Sequence, residues 1–135
     1  MNELTLTSFQ YNKDQKTRDE LLGLDSKLVD ETYAHFSNLD ISTLKELIAQ
    51  GFVDLDEQQN DAPTIREFVE FMELYPNMKA HGYAIGHPRS DYRISIEGVV
   101  GQILTYKNMS DFIDMFRTAD EFKIEESGYG RCWYD

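Results

Sequence analysis

Apolar positions along the chain recur first at three- and four-residue intervals and later at every second residue. From about Thr17 to Ser37, the residues Leu21, Leu28, Val29, Thr32, Tyr33 and Phe36 form one stripe at helical spacing, which predicts an amphipathic helix. Asp40 is a good N-cap for a second helix with Leu44, Leu47 and Ile48 on its apolar face. Gly51 can take the left-handed conformation that ends it. The run Phe52-Val53-Asp54-Leu55-Asp56 reads as a short strand entering an acidic loop. Thr64 with Glu67 three residues on is a capping box for a third helix, whose apolar surface is Ile65, Phe68, Val69, Phe71 and Met72 and which Pro76 ends. At the N-terminus, Glu3 to Phe9 alternates weakly, as a short edge strand or a disordered arm within residues 1–16 would.

Beyond Pro76 the period becomes two. Lys79 to Ile85 and Asp91 to Val100 predict two strands around the turn His87-Pro88-Arg89-Ser90. In the second strand Tyr92, Ile94 and Ile96 alternate with Arg93, Ser95 and Glu97, the pattern of an antiparallel hairpin with one buried face. A further strand is expected over 101–106. Residues 110–124 fit two templates. In a helix, Ser110 is the cap and Ile113, Phe116 and Phe122 point inward; in a strand, Phe112, Phe116, Phe122 and Ile124 share a face with Asp114, Thr118 and Asp120. Glu125 to Gly128 is a turn, and Tyr129 to Tyr134 a last strand.

Composition narrows the class. With 135 residues, 41% of them hydrophobic, the chain suits one domain, 1–135, with a core that needs no metal or disulfide. The single cysteine, Cys132, excludes an intrachain disulfide and suits a reducing compartment. The start Met1-Asn2-Glu3-Leu4 lacks a basic, apolar leader, and no stretch is long and apolar enough to span a bilayer, so the expected place is the cytoplasm. A net charge of −12 argues against nucleic-acid and anionic-membrane partners. It also suits an inhibitor or immunity protein that masks a basic partner, or a nucleic-acid mimic. The scatter of the acids along the chain fits a solvated surface. Three separated histidines and one cysteine form no zinc pattern, and there is no phosphate loop, so neither metal nor cofactor is expected.

The order helix, helix, short strand, helix, antiparallel strands resembles the nuclear-transport-factor-2-like superfamily, which includes ketosteroid isomerase-like and SnoaL-like members. Four stretches carry the likeness over about residues 18–135: Asn38-Leu39-Asp40 with Leu44 to Ala49, Phe52 to Asp56, Pro63 to Phe68, and Ala119 to Ile124 with Arg131 to Asp135. The resemblance implies an α+β fold in which three N-terminal helices pack on a strongly curved antiparallel sheet, a cone with an apolar pocket. It also favours the strand reading of 110–124, as part of a closing hairpin.

An isomerase-like site needs a carboxylate base and proton donors for an enolate oxygen. The resemblance puts Asp56 at the base and Asp120 in the oxyanion hole, with Tyr33 one residue from the donor tyrosine. Asp120 has support of its own in the strand reading, where it shares a face with Phe116 and Phe122. His81 and Tyr83 share a strand face and, with those two phenylalanines, are the expected ligand contacts. Cys132 reads as a buried thiol. The functional expectation is therefore a domain that binds a small apolar molecule, with isomerase, dehydratase or cyclase chemistry as its enzymatic form. Its alternative is a non-catalytic, acidic protein-interaction module. A homodimer is expected from the resemblance, through outward residues such as Ile113, Met115 and Trp133.

Overall fold

The computed structural model describes residues 9–24 and 32–135. Its elements are α1 (Gln15–Leu22), β1 (Tyr33–Leu39), α2 (Ile41–Ala49), α3 (Ile65–Leu74), β2 (Lys79–Ile85), β3 (Arg93–Gln102), α4 (Tyr106–Phe116), β4 (Glu121–Ile124) and β5 (Tyr129–Trp133). The fold is α+β, with helices packed on one antiparallel five-stranded sheet in the order β1-β2-β3-β5-β4.

Local chemistry sets the helix ends. Asp14, Asp40, Thr64 and Thr105 cap α1 to α4, each accepting a hydrogen bond from the amide three residues on. The expected capping box is present at α3, where Glu67 Oε1 in turn accepts from the Thr64 amide at 2.9 Å. The core lies between the helices and one sheet face. Leu44 and Leu47 come from α2, Phe68, Phe71 and Met72 from α3, and Phe112 and Phe116 from α4. They pack on Phe36, Ala80, Ala84, Ile94, Ile96, Val99 and Cys132 of the strands.

Three expectations are corrected. The helix over 17–37 ends at Leu22, because Gly23 (φ 74°) takes the left-handed cap, and Tyr33–Leu39 is instead edge strand β1. Phe36 there faces the core while Tyr33 faces away, although helical spacing had placed them on one side; Leu28 and Val29 lie outside the described residues. The arm expected at residues 3–9 lies, up to residue 8, outside them as well. The run 52–56 is no strand. Asp54 accepts the Asp56 amide at 3.0 Å and turns the chain, while Phe52 and Val53 still bury in the core.

The third correction is the largest. Residues 106–116 are helix α4, so neither the strand over 110–124 nor the one over 101–106 forms as expected. Thr105 caps α4 in place of Ser110, and Phe112 and Phe116, four apart, bury on one helix face. Only Glu121–Ile124 joins the sheet, forming with β5 the closing hairpin, which turns through Gly128 (φ 90°). A helix between β3 and β4 departs from the order that the resemblance implies.

One irregularity positions the site below. Along β2–β3, His81 pairs with Gly98 but Gly82 pairs with Ile96, so Glu97 is an extra, unpaired residue in β3. This bulge shifts the core-facing positions from Ile94 and Ile96 to Val99. It also brings the backbones close. An added Cβ at Gly98 would lie 2.0 Å from the Cys132 carbonyl oxygen, so no larger residue fits there without movement. No helix among the described residues is long and apolar enough to cross a membrane.

Candidate functional site

The sheet face turned away from the helices is not simply solvated. On it stand Tyr33 and His35 of β1, Tyr83 of β2, and Arg93, Ser95 and Glu97 of β3. Tyr83, Ser95 and Glu97 are buried. The loop after α2 covers part of this face and is stitched to it by hydrogen bonds. Tyr83 Oη donates to Gln59 Oε1 at 2.9 Å, and Ser95 Oγ to Glu57 Oε2 at 3.2 Å. Tyr11, from the segment before α1, donates to Glu57 Oε1 at 2.5 Å. Burial and this acceptor hold the Tyr11 hydroxyl well above the usual phenol range.

Arg93 sits at the centre of the network. It donates to Tyr83 Oη at 2.7 Å and to Ser95 Oγ at 3.0 Å, and lies 3.3 Å from Glu57 and 3.4 Å from Asp91. Its guanidinium also stands 5.5 Å from the Tyr83 ring centre. Arg89 in turn holds Asp91 through two bonds of 2.9 and 2.6 Å, which lower the carboxyl's pKa. Both arginines are thus neutralised by neighbours.

Glu97 is different. Its side chain is 8% exposed, and its one ion-pair contact among the described residues is with the His35 ring, Nδ1 at 3.8 Å, which is 67% exposed. Burial raises the Glu97 carboxyl pKa; His35 and the Trp133 side chain nearby oppose the rise. The bulge leaves Glu97 outside the ladder, and its carbonyl accepts the Tyr134 amide at 2.7 Å. Beside it, Tyr33 and Tyr83 stack with centroids 5.0 Å apart, and Tyr33 Oη lies 3.3 Å from His35 Nε2. Glu97, both tyrosines, Gln59, Arg93 and Asp135 are among the residues lining a cavity of about 250 Å³. Arg89 and Asp91 line it as well, so the arrangement offers an aromatic wall, hydroxyl groups, and three carboxylates against two guanidinium groups that Asp91 and Glu57 already pair.

The structure brings only two of the expected site residues together, Tyr33 and Tyr83. Asp56 is an exposed loop acid paired with Arg66 at 3.2 Å. Asp120 is exposed too, and accepts the Asp135 amide at 2.8 Å; it shares no strand face with Phe116, which belongs to α4. Phe116 is core, stacked on Phe68 at 5.6 Å, and Phe122 packs on Phe112 at 5.3 Å. Aromatic side chains therefore occupy the layer in which an apolar pocket was expected. His81 donates to the Cys132 carbonyl at 3.0 Å, a structural bond, and burial lowers its pKa. The Cys132 thiol is buried and pushed up to about 12.

Sequence reasoning passed over Glu97, Gln59 and Arg93. Alternation had assigned Arg93, Ser95 and Glu97 to a wet face. The available signal was Glu97-Gly98, an acid beside a glycine within an apolar strand, which suits a bulge. No protein-family model matches the chain, and neither a curated protein nor a solved structure does so.

Proposed function

We propose that this domain binds a small polar molecule bearing a cationic nitrogen, in the cavity between Glu97 and the Tyr33–Tyr83 pair. The observation that carries this reading is Glu97, a buried carboxylate facing a cavity with no full cationic partner of its own. Removing a carboxylate from water is costly unless a cation compensates, and an ammonium or guanidinium group in the cavity supplies one. The tyrosine rings add a favourable quadrupole for the same charge. The polar lining replaces the apolar ligand expected from the sequence.

Binding, not turnover, is the activity proposed. Asp56 and Asp120 stand apart from the cavity, which leaves an isomerase-like mechanism without its base and its acid. The α+β layering is compatible with a nuclear-transport-factor-2-like fold, and ligand binding here does not depend on that membership. A cytoplasmic setting is supported by the free, buried thiol of Cys132. The expected dimer surface gains no support, because Trp133 lies on the Glu97 side of the sheet while Ile113 and Met115 ride on α4.

The test is a titration of small amines, guanidines and carboxylates, followed by amide and tyrosine NMR resonances. Amines or guanidines should shift Tyr33, Tyr83 and Gln59 saturably, and Glu97→Gln should abolish the shifts. Equal binding by Glu97→Gln, or preference for carboxylates, would sink the proposal.

A further inference from the structure

On the helical side of the molecule, α3 and α4 border a groove of about 740 Å³. Its floor is apolar: Phe71 and Ala62 are buried, and Met115 is half-buried. Leu74 lines it too and is 64% exposed, so it offers apolar surface beside Phe71 and Met115. Its walls carry five carboxylates, Asp61, Glu67, Glu70, Asp111 and Asp114, against one cation, Lys107. That lysine lies 3.0 Å from Asp111, which also accepts the Tyr75 hydroxyl, and Glu67 is occupied with the Thr64 cap. Asp61, Glu70 and Asp114 have no such partner among the described residues.

We infer that this groove docks a cationic amphipathic segment of another protein, with an aliphatic side chain seated on Phe71, Leu74 and Met115 and Lys or Arg side chains meeting Asp61, Glu70 and Asp114. An apolar floor with charged walls is the form of site that receives one face of a helix. The sign of the charge selects the occupant. A second copy of this chain, at −12, would bring acids against acids, whereas a basic segment is attracted over distance and paired on arrival. Nucleic acid is repelled for the same reason. The groove shares no lining residue with the Glu97 cavity, so the inference stands apart from the function proposed above.

The experiment uses a fluorescein-labelled peptide of about 12 residues, roughly 18 Å as a helix, with leucines at positions three and four apart and lysines elsewhere. A peptide of identical composition, with leucines at every second position, is the control. Anisotropy with the intact protein should show saturable binding of the first peptide, about tenfold or more weaker for the control, and weakening with salt. The double variant Glu70→Lys/Asp114→Lys should lose at least a further tenfold. Should that variant not fold, Leu74→Asp serves the same purpose from an already exposed position. NMR shifts on the unaltered protein should fall on α3 and α4. Absent binding, equal binding of the control, shifts spread elsewhere, or unchanged affinity in a folded variant would each overturn the inference.

Discussion

Glu97 shows how one side chain can set a pH dependence opposite to that of its neighbours. Its pKa is higher in the folded protein than in the unfolded chain, so the native state binds its proton more tightly. Its contribution to stability is therefore greatest at low pH and falls as pH rises from the unfolded value through the raised folded one. Asp14, Asp40 and Asp91 act in the other sense. Hydrogen bonds from Thr17, Thr43 and Arg89 lower their pKa values, and their stabilisation is lost as pH falls. Glu97→Gln keeps the shape and removes the charge. Melting curves should show the variant more stable than the parent near neutral pH, with the gap closing in acid. A gap independent of pH would mean that Glu97 is not strained by burial. Ligand binding should follow the same group, weakening on acidification at a pH above the ordinary carboxylate range.

At the scale of elements, α4 is the clearest case of a segment the sequence left open. Phe112 and Phe116 are four apart, which fits one helix face and, equally, one strand face, so spacing could not choose between them. What decides is packing. Phe116 stacks on Phe68 and meets Phe71 edge-on at 5.0 Å, which needs both rings on one helix flank. Truncating Phe116 to Ala should cost about 3–5 kcal/mol in chemical denaturation. Thr105→Ala should cost about 1 kcal/mol through the lost cap, and Ser110→Ala almost nothing, reversing the cap expected from sequence. By contrast α2, α3 and the β2–β3 hairpin were legible, because caps at Asp40 and Thr64 and strict alternation each point to one structure. The Glu97 cavity was not. It depends on a bulge and on a distant loop reaching over the sheet, and neither leaves a periodic trace.

At the scale of the molecule, the two proposed sites are separate in lining, the cavity on the sheet face that carries Glu97 and the groove between α3 and α4. They share one dependence. Asp135 lines the cavity and Tyr134 the groove, and both follow β5, the strand that separates β3 from β4. β4 reaches the sheet only through β5. On the ribosome, a nascent chain extending through Ser127 thus holds β3 with a bare edge and β4 with nothing to pair with, and neither recognition surface is complete. Until β5 emerges neither proposed surface is complete, so a chain still lacking that strand stays out of competition with folded copies for a ligand or a basic partner.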